Sequence, residues 1–142
     1  MLHAVDKKLK NTFGKQDKLK SALTIETLYH ANQFMVSFPL KCFYLFSEQT
    51  DEQKAVRVAF TVPKRTFKKA VERNQLKRRM REAYRLNYKK KLELFISQNH
   101  KKQLQLLVIY IGKEKLDYGT IEKNMCAVLQ KINEKMINLP PK

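Results

Sequence analysis

Acidic residues are scarce in this chain: 13 Asp and Glu stand against 30 Lys and Arg, and tryptophan is absent. Only 3 glycines and 4 prolines interrupt 142 residues. So few breakers exclude a low-complexity linker, and no internal repeat is visible. The three histidines, His3, His30 and His100, lack metal-ligand spacing. The acids are scattered, and neither Asp51-Glu52 nor Glu72 or Glu82 makes a convincing metal-binding cluster. A glycine-rich phosphate loop is missing as well. The chain by itself is therefore expected to hold no catalytic site, no metal, no cofactor and no small-molecule substrate. Its two cysteines, Cys42 and Cys126, each lie in an apolar segment. They read as small buried hydrophobes of a cytoplasmic protein, where a disulfide is not expected. The longest apolar run, Leu106–Ile111, is far shorter than the ~20 residues of a membrane span. Met1–Asp6 offers no apolar signal core.

What is present is charge together with a core. Hydrophobic residues make up 43%, which suits one folded domain rather than a disordered basic tail. The net charge is +17. Self-repulsion of that size opposes compaction unless a polyanion relieves it. Nucleic acid is the leading partner, and an anionic membrane surface is the second.

Residues 1–15 are basic without apolar periodicity and are expected to form a flexible tail; residues 16–137 form the domain, and residues 138–142 fray. From Lys18, the spacing of Leu19, Leu23 and Leu28 predicts a short helix, with Ser21 or Thr24 as caps. Gln33 to Phe46 reads as strand, break at Pro39, and strand. Leu40, Cys42, Tyr44 and Phe46 share one face, and Lys41, Phe43 and Leu45 the other. Ala55 to Val62 is a further strand, with Val56, Val58, Phe60 and Val62 on one face, ended by Pro63. Thr66 is expected to cap a helix running to about Ile96. Gln103 to Ile111, the most apolar strand, is expected at the centre of the sheet and ends at Gly112. Thr120 is expected to cap a last helix that buries Ile121, Met125, Val128, Leu129, Ile132 and Met136. The order α-β-β-β-α-β-α predicts an α+β fold, a two-layer sandwich with helices on a mixed four-stranded sheet.

The segment from Pro63 to Lys91 carries thirteen cations and two anions, so +11 of the net +17 is concentrated there. At ~100° per residue, Leu76, Met80, Ala83 and Tyr84 form one stripe that must face the sheet. Arg73, Asn74, Lys77, Arg78, Arg81 and Arg85 fall on an adjoining arc. Like charges at i,i+4 repel along Arg73, Lys77, Arg81 and Arg85, and phosphate neutralisation is the natural compensation. Arginine clamps phosphates, and Asn74 can bond a base edge, a 2′-hydroxyl or a phosphate. Lys68 and Lys69 extend the same basic segment. The plain alternative is a solvated basic face, although solubility requires no single-sign stripe.

The run from Ala70 to Tyr84, with Arg73-Asn74, Leu76, Lys77-Arg78 and Arg81 on one helix, resembles the signature of the bacterial ribonuclease P protein family. Arg57 to Arg65 is similar to the strand and paired basic residues before that helix. Lys18-Leu19, Ile25 and Tyr29 resemble the family's N-terminal segment. The resemblance spans about residues 16–137. Three positions depart from it: Gln75 stands where a cation is usual, Thr66-Phe67-Lys68-Lys69 replaces a glycine-containing turn, and Ile25 replaces an aromatic. The resemblance implies a left-handed strand-helix-strand crossover. It implies that Lys64, Arg65, Arg73, Asn74, Lys77, Arg78 and Arg81 meet a catalytic RNA. It implies that Tyr29, Phe43 and Thr61 line a cleft for the 5′ leader of precursor tRNA, where Lys41 shares the strand face of Phe43. Hydrolysis and its Mg²⁺ would then belong to the RNA–protein holoenzyme. Ordinary core packing is the alternative role for Tyr29 and Phe43. A structural ribosomal RNA-binding protein is the rival function. A DNA-binding regulator is a weaker rival, because a strand rather than a helix-turn leads into the basic helix.

Overall fold

The computed structural model describes residues 22–48, 56–98 and 102–137. Along the chain stand α1 (Ala22–His30), β1 (Phe34–Ser37), β2 (Leu40–Glu48), β3 (Val56–Thr61), α2 (Ala70–Lys91), α3 (Glu93–Gln98), β4 (Lys102–Tyr110) and α4 (Tyr118–Ile137). The strands form one sheet in the order β1-β2-β4-β3. β1 with β2 and β2 with β4 are antiparallel, whereas β3 and β4 are parallel. The fold is therefore α+β with a mixed four-stranded sheet, and the most apolar strand is central as expected. The predicted tails, Lys18, Leu19 and Ser21, and the side chains of Leu23, Thr24 and Met136 lie outside the described residues.

Strand alternation divides the sheet into two unequal faces. Leu40, Cys42 and Tyr44 from β2, Val56 and Val58 from β3, and Leu104, Leu106, Val108 and Tyr110 from β4 enter the main core. Leu76, Met80, Ala83, Tyr84 and Tyr88 of α2 close over them, together with Ile121, Met125, Val128, Leu129 and Ile132 of α4. The opposite face holds a smaller cluster of Leu28, Phe43 and Leu107, flanked by Ile25, Leu45, Ala59 and Ile109. α1 thus packs on the back of the sheet, leaving the other helices together on the front. Burial on both faces explains why β4 reads as an almost continuous apolar run.

Three predicted boundaries are corrected. Thr66 caps no helix. It lies in a turn closed by the Thr66 and Phe67 amides, which donate to the Pro63 carbonyl at 3.3 and 3.1 Å. Phe67 is buried with its ring edge-on to Tyr110, so the chain must dip into the core before α2 can start. The residue at the cap position is Lys69, which makes no side-chain cap bond. The helix foreseen to Ile96 divides at Leu92, and α3 sends Phe95 into the core. The last helix begins at Tyr118, two residues before Thr120. Its cap is Asp117, whose Oδ1 accepts the Thr120 amide at 3.2 Å.

Candidate nucleic-acid interface

α2 positions the basic arc by anchoring its other side. Leu76, Met80, Ala83 and Tyr84 are fully buried, so the helix cannot rotate without opening the core. Asn74, Arg78 and Arg81 consequently face solvent, while Arg73, Lys77 and Arg85 are half-buried along the rim. The preceding turn displays Lys64, Arg65, Lys68 and Lys69, all exposed. All ten predicted RNA-facing residues therefore sit on one helix and its lead-in turn.

They do not form a row of equivalent free cations. Arg73 folds back, and its Nη1 donates to the carbonyls of Phe67 and Lys68 at 2.8 and 2.9 Å. It buttresses the lead-in turn from the carbonyl side. Arg85 is bound to Glu82 through Nη2 at 2.7 Å and Nε at 3.1 Å. The Arg85 hydrogen bond in turn holds the Glu82 carboxyl below its ordinary range. The repulsion expected along the i,i+4 series is thus relieved at both ends from within. Arg79, outside the predicted arc, donates from Nη1 to the Leu116 carbonyl at 2.7 Å.

The back of the sheet carries the second set. Tyr29 projects from α1 and is 57% exposed. Its ring centre lies 5.3 Å from that of Phe43, which is only 5% exposed. Lys41 stands two residues from Phe43 on the same face, with its Nζ 5.0 Å from the Phe43 ring centre. Thr61 and Lys41 both pair with Ile109, so Thr61 shares this face two strands away. The structure brings Tyr29, Lys41 and Phe43 together and leaves Thr61 two strands away. Phe43 itself belongs to the buried cluster on this face.

One residue escaped the sequence reading. Phe34 of β1 pairs directly with Phe43, with ring centres 5.5 Å apart, and is 41% exposed. Lys41 Nζ lies over it at 4.3 Å. The signal was available: a hairpin folded about Phe38-Pro39 places Phe34 opposite Phe43.

The family model described as Ribonuclease P matches residues 13–133. The chain belongs to the ribonuclease P protein family. A ribonuclease P protein component from Porphyromonas gingivalis is 33% identical over 117 residues, covering 80% of this chain and 82% of the relative. Another, from Chlorobium phaeobacteroides, is 38% identical over 77 residues, covering 53% of each. Solved structures of RNase P proteins share the fold. The Staphylococcus aureus protein gives a TM-score of 0.60 at 17% identity, covering 82% of this chain and 94% of that one. The Thermotoga maritima protein gives 0.60 at 19%, covering 80% and 96%. This ribonuclease P protein component is thus part of a tRNA-processing endoribonuclease. Among the described residues, no three His, Cys, Asp or Glu side chains converge as metal ligands. Also among those residues, no helix is long and apolar enough to cross a membrane.

Proposed function

We propose that this ribonuclease P subunit binds the catalytic RNA through α2 and its lead-in turn, and the 5′ leader of precursor tRNA through the cleft behind the sheet. The carrying observation is the division of labour between two faces. Basic side chains project from a helix locked to the front of the sheet, and aromatic rings beside a lysine lie on the back. Lys64, Arg65, Lys68, Lys69, Asn74, Lys77, Arg78 and Arg81 supply the RNA contacts. Arg73 holds the turn, and Arg85 joins by exchanging Glu82 for phosphate. Tyr29, Phe34 and Phe43 stack on unpaired leader bases, Lys41 meets a leader phosphate, and Thr61 lines the floor. Stacking tolerates sequence variation, as a binder of many leaders requires.

Chemistry in this scheme belongs to the RNA and its Mg²⁺, which supply the hydrolytic nucleophile. The protein's cations lower the local repulsion between ribozyme and substrate and so reduce the ionic demand of assembly. A rigid sheet gripping both partners also raises the effective concentration of the leader beside the ribozyme. The test is reconstitution with a bacterial ribonuclease P RNA at low Mg²⁺. Addition of the protein should accelerate precursor-tRNA cleavage, and no acceleration would refute the proposal.

A further inference from the structure

A third segment also presents cations, on a backbone held unusually firmly. β4 leads into the loop over residues 111–117, which returns to α4. At its start, the Ile111 amide donates to the Pro39 carbonyl at 2.7 Å. A side chain at Gly112 would meet the Tyr110 ring at 3.0 Å and Pro39 at 3.1 Å, so the backbone here is pressed against the end of the sheet. The Tyr110 hydroxyl then donates to the Glu114 carbonyl at 2.5 Å and accepts the Leu116 amide at 3.0 Å. Arg79 of α2 completes the anchorage at the Leu116 carbonyl, 2.7 Å away.

The outer surface of this loop displays Lys113, Glu114 and Lys115, all exposed. Lys115 reaches across to α2. Its Nζ donates to Gln75 Oε1 at 3.1 Å and lies 3.8 Å from Glu72 Oε2. That flank of the helix carries Glu72, Gln75 and Arg79, and Gln75 is next in sequence to Asn74. Arg79 is turned to the Leu116 carbonyl, and Lys115 is a cation set against Glu72 on this flank.

We propose that the β4–α4 loop is a second arm of the RNA-binding surface. Lys115 contacts a phosphate of the catalytic RNA beside Asn74, Lys113 adds to the local positive field, and Arg79 is a positioning residue that holds the arm against α2. The inference rests on the assignment of α2 to the catalytic RNA. Energetics favour exchange of partners at Lys115. The contact with Glu72 is long and partly exposed, so it is weak and screened by salt, whereas a phosphate offers the ammonium a charge-assisted bond. A lysine serving only solubility requires no ordered backbone, and ordering a loop costs conformational entropy.

The experiment measures affinity of the full chain for a bacterial ribonuclease P RNA across a salt series, with thermal melts as the check on folding. Lys115→Ala should lower the slope of log affinity against log salt by about 0.7–0.9, the effect of one phosphate contact. The double variant Glu72→Gln/Lys115→Ala should keep that lowered slope. Restoration by Glu72→Gln would mean that Lys115 only neutralises Glu72, and would overturn the proposal, as would an unchanged slope in Lys115→Ala. Arg79→Gln, or Arg79→Lys if the former melts early, should weaken binding in the parent chain and add nothing in the Lys115→Ala background. Full additivity would show that Arg79 does not act through the arm. Failure of the underlying assignment looks different: Arg78→Ala and Arg81→Ala would then also leave the slope unchanged.

Discussion

Lys41 holds its ammonium 4.3 Å from the ring centre of Phe34, its near neighbour across the β1–β2 hairpin. The same ammonium lies 5.0 Å from Phe43, and Phe43 lies 5.3 Å from Tyr29. A cation over aromatic faces at a partly exposed site contributes about 0.5–1 kcal/mol. The hairpin therefore holds a positive charge beside a row of three rings. Phe43 supports that row from below, and Tyr29 and Phe34 expose their rings to solvent.

Tyr29→Ala and Phe34→Ala are accordingly the informative substitutions in the cleft. Each should weaken precursor-tRNA binding by about 1–3 kcal/mol, the worth of one stacked base. Binding of mature tRNA, which has no leader, should hardly change. Equal loss for both RNAs would remove these rings from the leader path. Phe43→Ala tests something else, because truncating a buried phenylalanine costs about 3–5 kcal/mol of folding stability. Its melting temperature should fall whether or not RNA is present.

Arg73→Ala should act on the turn as well as on RNA. Hydrogen bonds from a charged donor contribute about 1.5–3 kcal/mol each when buried, and less here because one of the two carbonyls is exposed. Losing them should release the turn bearing Lys64, Arg65, Lys68 and Lys69. Faster amide exchange over residues 64–69 is the expected readout, with a fall in RNA affinity exceeding that of Arg81→Ala. Exchange rates matching the parent chain would mean that Arg73 does not hold the turn.

Asp117 should give the fold a component of acid sensitivity. The Thr120 hydroxyl, and next its amide, hold the Asp117 carboxyl below the ordinary aspartate value. A carboxylate with a lowered folded pKa stabilises fully above its unfolded value, ~3.9, and loses that contribution as pH falls through the folded one. Asp117→Asn keeps a good cap and removes the titration. Its melting temperature should decline less steeply than that of the parent below pH ~4. Glu82, lowered by Arg85, titrates in the same sense and remains in both proteins. Parallel pH profiles would show that the cap does not titrate with folding.

The two thiols should separate by reactivity. Cys42 is fully buried, and burial pushes its thiol far above the ordinary range. Cys126 is half-buried and is raised for the same reason. Since the thiolate is the reactive form, alkylation of folded protein should modify Cys126 slowly and Cys42 only at the rate of unfolding. Simultaneous labelling of both under native conditions would contradict the placement of Cys42 in the core.

Periodicity made much of this architecture legible. The alternation of Leu40, Cys42 and Tyr44 with Lys41 and Phe43 assigned both faces of β2, because side-chain direction in a strand follows position alone. The stripe of Leu76, Met80, Ala83 and Tyr84 oriented α2 for the same kind of reason at helical spacing. Caps were harder. Thr66 and Thr120 are good capping residues, yet the burial of Phe67 moved one helix start, which local propensity does not contain, and Asp117, a better cap three residues earlier, set the other.

The side chains around the basic helix divide along the same line. Charge density, the buried stripe and the solvent-facing arc follow from residue order, since a helix converts spacing into direction. Which arginines are already engaged does not. Arg73 bends to carbonyls of a turn, Arg79 reaches a loop 37 residues onward, and Phe34 meets Phe43 only because a hairpin closes between them. Local order along the chain sets what each segment can present. Contacts between segments distant in sequence depend on how the sheet seats them, and only the folded chain decides those.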